Sequence, residues 1–202
     1  MSALASAPEG GLAGPALAGP ALAGPALAGP ALAGPALTDT VLMDTLLADT
    51  VLVGVDIVDG DRLARAAARG GSVFARRLTT PAERGRGPGV AAFSVKESLI
   101  KAVGVRPPGF TWHDFEALPV PPSGWAARLL EEAAGELAGS TGVPLDAGTA
   151  YAVRGASALA ARARLAPGPT AGPVAGAARW GEGGGLFVSL AIVYVEEEGT
   201  PS

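Results

Sequence analysis

Two carboxylates and two lysines are the residues of this sequence best suited to metal and phosphate chemistry. Asp56 interrupts the apolar run VLVGVDIV, and Glu97 lies between Lys96 and Lys101 in FSVKESLIK. The 202-residue chain contains thirteen arginines but only these two lysines. Carboxylate oxygens hold Mg²⁺, the ion takes phosphate oxygens, and ammonium groups neutralise the remaining charge. Together, the four residues predict a site for Mg²⁺ and a diphosphate.

Each of these residues also has an ordinary structural explanation. A Lys-Glu pair most often lies on a solvated helix surface, and Glu97 with Lys101 is a common i,i+4 helix pair. Asp56 can be a partly exposed carboxylate at a strand end. If it is buried, it must pair with a cation or a metal, because burying an unpaired charge is costly.

The elements that would position these residues are a strand and a helix. Residues 51 to 58 are apolar and β-branched, which predicts a buried strand, and residues 91 to 103 predict a helix that carries the lysine motif. The other predicted helices are one over 61 to 70 ended by the glycines at 70 and 71, a short one with Thr80 as N-cap and Pro81 at N1, and one over 124 to 138. The other predicted strands lie over 110 to 118, around 149 to 154, around 157 to 165 and over 186 to 195. A turn is predicted over 181 to 185. Helices and strands mix without regular βαβ alternation, so the predicted class is α+β.

The first third of the chain is a low-complexity repeat of the unit GPALA. A proline every fifth residue prevents a continuous α-helix, and alanine and leucine alone bury too little surface to order the segment. We therefore expect a disordered tail over residues 1 to 49 and a folded domain over 50 to 198. A pentapeptide-repeat β-solenoid is the alternative, and the prolines disfavour it. Met43 is a candidate for the true start of translation.

Composition excludes several kinds of function. The chain has no cysteine, so disulfides, thiolate zinc sites and cysteine nucleophiles are excluded. A net charge of −4 argues against nucleic-acid binding. The sequence shows neither a secretory signal nor an apolar run of membrane-spanning length, which predicts a cytoplasmic location without membrane contact.

Three segments that occur in a fixed order carry a family resemblance. They are GVDIVD (54 to 59), FARRLTTPAE (74 to 83) and FSVKESLIKAVG (93 to 104). Together they resemble the 4′-phosphopantetheinyl transferase superfamily, specifically its holo-[acyl-carrier-protein] synthase type, over residues 51 to 116. That family has a G-[IV]-D-I-V strand, an F-x-x-R-x-[LF]-T-x-x-E segment and an R-F-[AS]-x-K-E-[AS]-x-x-K-A-[LF]-G helix. The resemblance implies an antiparallel sheet with a long helix packed on it.

The resemblance also implies a reaction and a set of site residues. The 4′-phosphopantetheine arm of coenzyme A would be transferred to a serine of an acyl carrier protein, and adenosine 3′,5′-bisphosphate would be released. Asp56 and Glu97 would ligate Mg²⁺, Lys96 and Lys101 would bind the coenzyme, and Glu97 and Lys101 would be the catalytic residues. Either Glu97 or a metal-bound water can serve as the base for the serine.

An arginine cluster predicts the kind of partner. Residues 61 to 86 contain seven arginines and two acids, a local charge of 7 − 2 = +5. Arg62, Arg65 and Arg69 fall on one face of the predicted helix, which suits an acidic acyl carrier protein. A solvated helix surface is the alternative. Val58 stands where the larger class of the family has a third metal acid, so the smaller, oligomeric class fits, with a trimer favoured and the active site between subunits.

Two departures from the family pattern favour other functions. Ala92 replaces the usual arginine, and the late V-S-[IL]-[ST]-H motif lacks its histidine because Ala191 and Ile192 follow VSL. Either the last two strands of the family are fused here, or residues 177 to 180 form the first of them. The one histidine, His113, is expected to be partly buried in a strand. A catalytically impaired homologue that binds carrier proteins is therefore the second hypothesis, and an unrelated Mg²⁺-nucleotide-binding domain is the third.

Overall fold

The computed structural model describes residues 51–85, 91–104, 106–165 and 172–196. The predicted repeat tail over residues 1 to 49 and the candidate start at Met43 lie outside the described residues. The described elements run from Val51 to Val195. Within those ranges, no helix is long and apolar enough to cross a membrane.

One five-stranded antiparallel sheet forms the centre of the fold, and its strand order is β1-β5-β4-β3-β2. The strands are β1 (Val51–Asp59), β2 (Phe115–Ala117), β3 (Ala147–Val153), β4 (Val174–Gly183) and β5 (Leu186–Val195). β4 and β5 form a hairpin whose turn, Gly184 and Gly185, has positive φ angles of 59° and 79°. Residues 177 to 180 thus belong to a separate strand before the last one, and the predicted α+β class with an antiparallel sheet is confirmed.

Five α-helices accompany the sheet in the described part of the chain. They are α1 (Gly60–Leu78), α2 (Pro81–Arg84), α3 (Ala91–Val103), α4 (Gly124–Thr141) and α5 (Gly155–Arg164). α3 has the bounds predicted from the sequence. The predicted cap of α2 is also confirmed: the Glu83 amide donates to the Thr80 hydroxyl at 3.3 Å, and the Thr80 amide donates to the Glu83 carboxylate at 2.7 Å.

The predicted end of the first helix at its two glycines is confirmed as a break in α1, but the prediction missed the helical segment that follows it. Gly71 has non-helical angles (φ 48°, ψ −136°), but a second helical segment follows it and ends at Leu78. This segment is anchored by Phe74, whose ring lies 6.0 Å from the ring of Phe93 in α3. The glycine therefore bends the helix, and packing of an aromatic side chain beyond the bend allows the helix to resume.

The strand predicted over residues 157 to 165 is also wrong, because this segment lies in helix α5. Its sequence is rich in alanine, the residue with the highest helix propensity. The Asp114 carboxylate accepts hydrogen bonds from the amide of Ser157 at 3.0 Å and from its hydroxyl at 2.9 Å, which satisfies donors in the first turn.

Only part of the strand predicted over residues 110 to 118 forms. A 3₁₀ turn occupies Trp112–Asp114, and the strand is limited to Phe115–Ala117. The turn is closed by the Thr111 hydroxyl, which donates to the Asp114 carboxylate at 2.8 Å. The same aspartate therefore stabilises this turn and the start of α5.

The two faces of the sheet carry separate cores. Leu52 of β1 belongs to the core beneath α3 and α5, whereas its neighbour Val51 belongs to the core beneath α4. At Gly54, a Cβ atom would lie only 2.1 Å from the carbonyl oxygen of Ser98. This glycine therefore lets α3 lie directly on β1, and Asp56, two residues further along the same face, is brought against the helix.

Candidate active site

Asp56 is the point at which β1 and α3 are joined by polar contacts. Its side chain is almost fully buried, and its carboxylate accepts hydrogen bonds from the Ser94 hydroxyl at 2.6 Å and the Lys101 ammonium at 2.7 Å. The Ser94 hydroxyl also lies 3.0 Å from that of Ser189 on β5, which pairs with Asp56 in the sheet. The expectation that a buried Asp56 needs a cation is therefore met by Lys101.

Glu97 lies on α3 between the two residues that contact Asp56. It is one turn after Ser94 and one turn before Lys101, so all three residues lie along one face of the helix. Its carboxylate is 18% exposed and forms an ion pair with Arg106, at 2.5 Å between Nη2 and Oε1. Each of the two candidate metal ligands thus has one cationic partner.

Asp56 and Glu97 offer carboxylate oxygens, the kind of ligand that Mg²⁺ prefers. The described residues contain no group of three or more His, Cys, Asp or Glu side chains that could hold a metal ion. Mg²⁺ does not require such a group, because it keeps several waters and is commonly held by one or two carboxylates together with substrate phosphates. The Lys101 side chain is 51% exposed, so its ammonium can also reach a bound phosphate.

Lys96, which was predicted to bind the coenzyme, is buried inside the protein. Its side chain is fully buried, and its ammonium donates to the Leu78 carbonyl at 2.7 Å, the Glu83 carboxylate at 2.9 Å and the Trp112 carbonyl at 3.2 Å. Burial lowers the pKa of Lys96, and the neighbouring Glu83 carboxylate opposes that change. All three N–H donors of this lysine are therefore used by acceptors inside the protein.

Glu83 completes this buried pair and was not among the predicted site residues. One carboxylate oxygen accepts from Lys96 and from the Thr80 amide, and the other accepts from the Ala117 amide at 2.8 Å. The pair therefore links α2, α3 and β2. These contacts fix the position of α3, the helix that carries Glu97 and Lys101.

The three predicted partner-binding arginines lie together on the surface of α1. Arg62, Arg65 and Arg69 are exposed, whereas Leu63 on the same helix is buried. The Asp59 carboxylate accepts from the Arg62 amide at 2.7 Å and caps the helix. Among the described residues, no carboxylate forms an ion pair with any of these three arginine side chains.

The single histidine is not the partly buried strand residue that was predicted. His113 is exposed in the 3₁₀ turn, and its Nε2 lies 3.1 Å from the carbonyl oxygen of Arg76. At the late VSL segment, Ser189 is fully buried behind Asp56 and Ala191 is buried in the core. The position directly after VSL on β5 therefore has an apolar side chain, that of Ala191.

Trp180 also lies in this region, and no functional role was predicted for it from the sequence. It pairs with Ser189, which in turn pairs with Asp56, so the three residues cross the same level of the sheet. A cavity of about 580 Å³ beside α1 and one of about 410 Å³ beside β2 are both lined by Trp180 and Ala91. Trp180 thus stands between two open spaces near the start of α3.

Comparison with known proteins identifies the family. No protein-family model matches the chain. The holo-[acyl-carrier-protein] synthase of Frankia alni is 49% identical over 69 residues, which cover 33% of this chain and 57% of that protein. The protein of the same name from Desulforudis audaxviator is 38% identical over 103 residues, covering 46% of this chain and 79% of that protein. This chain belongs to the holo-[acyl-carrier-protein] synthase family.

The similarity covers only part of some relatives. The chain spans 57% of the length of each of the two Frankia relatives. The Chronobacterium ammoniagenes ACPS-CoA complex superimposes with a TM-score of 0.44 at 19% identity, over 73% of this chain and 98% of that one. The hypothesis of an unrelated Mg²⁺-nucleotide-binding domain is wrong.

Proposed function

We propose that this protein transfers the 4′-phosphopantetheine arm of coenzyme A to a serine of an acyl carrier protein, in a Mg²⁺-dependent reaction that releases adenosine 3′,5′-bisphosphate. The observation that carries the proposal is the contact of Asp56 with α3, where Lys101 and Ser94 bind its carboxylate on either side of Glu97. Two carboxylates and an accessible ammonium group are thereby placed on one strand and the helix packed on it. The names of the relatives support the same reaction.

Each site residue has a role in this proposal. Asp56 and Glu97 would hold Mg²⁺, and the ion supplies positive charge that polarises a phosphoryl group. Lys101 would leave Asp56 for a phosphate of coenzyme A, because an exposed ammonium can rotate between two anions. The catalytic contribution of the protein is to align the serine hydroxyl and to neutralise the charge that develops on the leaving phosphate. Lys96 acts only through the position of α3.

The surface of α1 is proposed to bind an acidic acyl carrier protein. Three exposed arginines without ion-pair partners in the described residues present a positive surface, which would attract and orient an acidic partner. This surface also borders the larger cavity, because Leu63 and Ala64 of the same helix line it. A carrier protein bound to α1 would therefore lie next to the open space in front of Trp180.

Substitution of Arg65 by glutamate should weaken the carrier interaction without changing the chemistry. We expect KM for the carrier protein to rise about tenfold and kcat to change little, because an exposed charge on this surface acts on association. Arg128→Glu, an exposed change on α4, is the matched control and should leave KM within about twofold. Equal effects of the two variants, measured by steady-state kinetics in low salt, would contradict the assigned surface.

We also propose a homo-oligomer, with a trimer favoured. The edge strand β1 exposes Val53 (56%) and Ile57 (48%) on the face opposite α3, and large exposed apolar side chains at a sheet edge favour association. Light scattering of the purified protein measures this directly. A monomeric mass would refute it, and Val53→Lys should dissociate a trimer that is formed through this edge.

A catalytically impaired, carrier-binding protein is the second candidate function. It is favoured by the absence of the family's late histidine, because the single histidine of the chain, His113, lies in the 3₁₀ turn. The test is incubation with an apo-carrier protein, coenzyme A and Mg²⁺, followed by mass spectrometry of the carrier. A gain of one phosphopantetheine group supports the transferase, whereas binding without a mass gain supports the second candidate. The cytoplasmic location stays a prediction.

A further inference from the structure

Arg106 is held at the candidate site by three contacts that the family motif does not contain. It follows α3 in the loop that leads to the 3₁₀ turn, and its Nη2 lies 2.5 Å from Oε1 of Glu97. Its guanidinium carbon lies 5.2 Å from the ring centroid of Trp112 and 5.7 Å from that of Phe110. Cations at such distances from aromatic faces are attracted by the ring electrons.

The two rings that hold Arg106 are themselves fixed by packing. Trp112 lies 5.6 Å from Phe93 of α3 and 5.7 Å from Phe110, measured between ring centroids. Phe110 in turn lies 6.5 Å from the fully buried Phe115. The Trp112 carbonyl also accepts from the buried Lys96 ammonium. The guanidinium therefore rests on a support that does not depend on Glu97.

This support matters because Glu97 is also the candidate metal ligand. A carboxylate oxygen that binds Mg²⁺ is less available to a guanidinium, so metal binding would release Arg106 from its ion pair. The rings would keep the guanidinium beside the site, where its side chain is already 52% exposed. A guanidinium with free N–H donors in a fixed position is suited to bind a phosphate through two hydrogen bonds.

We propose that Arg106 is a phosphate-binding residue of this site, which exchanges its ion pair with Glu97 for a phosphate of coenzyme A when Glu97 holds a metal. This inference rests on the proposed function for the identity of the ligand. Lys101 would then exchange its ion pair with Asp56 for a phosphate oxygen. Arg106 would do the same with its ion pair to Glu97.

The first measurement is coenzyme binding by titration calorimetry, in the presence of Mg²⁺. Arg106→Ala should raise Kd for coenzyme A about tenfold to a hundredfold, the range expected for loss of hydrogen bonds between charged groups. Arg106→Lys should fall between this variant and the wild type, because it keeps the charge but loses the fork. Arg154→Ala is the matched control: Arg154 is a 59% exposed arginine paired with Glu116, and we expect its Kd within about twofold of wild type.

The second measurement separates binding from a merely structural role. In the absence of coenzyme, Mn²⁺ binding measured by electron paramagnetic resonance should become a few fold tighter in Arg106→Ala, because Glu97 is released from its ion pair. Loss of a structural contact would weaken metal binding instead. Dephospho-coenzyme A identifies the phosphate involved: the defect persists with this ligand if Arg106 binds the diphosphate and disappears if it binds the 3′-phosphate.

The outcomes distinguish this inference from the proposed function. If the wild-type protein binds coenzyme A and modifies the carrier while Arg106→Ala binds equally well, the inference alone is overturned. If coenzyme binding depends on Arg106 but no carrier is modified, the inference stands and the transferase proposal fails. A wild-type protein that binds no coenzyme A in the presence of Mg²⁺ would overturn both.

Discussion

Replacement of Glu97 by glutamine is expected to abolish phosphopantetheine transfer while leaving the protein folded. The neutral amide keeps the size of the side chain but removes the negative charge that would hold Mg²⁺ beside Asp56. Loss of one group that stabilises charge in a transition state typically costs about a hundredfold to a thousandfold in rate. The carboxylate is partly exposed and its partner Arg106 is half-exposed, so the change in stability should stay below about 1 kcal/mol.

The structure offers a closely matched control for this variant. Glu116 on β2 has a side-chain exposure of 19% and pairs with Arg154, whereas Glu97 has an exposure of 18% and pairs with Arg106. Glu116→Gln therefore removes an equivalent ion pair away from the proposed metal ligands. Transfer rates from carrier mass spectra and thermal melts of both variants give the comparison. Full activity of Glu97→Gln would refute the assigned metal ligand.

Replacement of Lys96 by methionine is expected to cause the largest loss of stability among single substitutions at this site. The fully buried ammonium is the cation that faces the Glu83 carboxylate at 2.9 Å. Removal of one member of a buried ion pair leaves an uncompensated charge, which costs about 3–5 kcal/mol of the free energy of unfolding. Denaturant titration followed by circular dichroism measures this loss.

The double variant Glu83→Gln with Lys96→Met tests the cause of that loss. Because the buried carboxylate charge is removed together with its partner, the double variant should be more stable than Lys96→Met alone. Additive losses would show that the two side chains do not act as a pair. A loss of less than about 1 kcal/mol in Lys96→Met would contradict the buried-pair interpretation altogether.

The part of the site that could be predicted from the sequence depends on local signals. A charge inside an apolar strand indicated that Asp56, if buried, would pair with a cation or a metal, and in the structure it pairs with Lys101. The bounds of α3 and the capping box at Thr80 follow from residue types within a few positions of each other. These features need no knowledge of how distant segments pack.

The buried position of Lys96 was not predicted, although a signal for it exists. The residue lies four positions after Ala92, three before Leu99 and seven before Val103, and all three of these are buried. It therefore belongs to the apolar face of α3. The charge of lysine and the family motif together favoured a coenzyme contact over this helical pattern.

Other features depend on contacts between distant segments and could not be predicted. Arg106 meets Glu97 only because the loop after α3 turns back onto the helix, over a support of aromatic rings from three parts of the chain. The helix at residues 155 to 164 starts where Asp114, more than forty positions earlier, accepts from Ser157. The Asp114–Ser157 contact joins residues 43 positions apart, whereas the Arg106–Glu97 pair, nine positions apart, depends on how Arg106 packs on the aromatic rings.

The central claim is that this protein modifies an acyl carrier protein with the phosphopantetheine arm of coenzyme A. The most direct measurement is the intact mass of an acidic apo-carrier protein after incubation with the full chain, coenzyme A and Mg²⁺, with Glu97→Gln and a chelator as parallel controls. We predict a gain of one phosphopantetheine group on the carrier serine with the wild-type protein and none in either control. An unchanged carrier mass under conditions where the two proteins bind each other would contradict the claim.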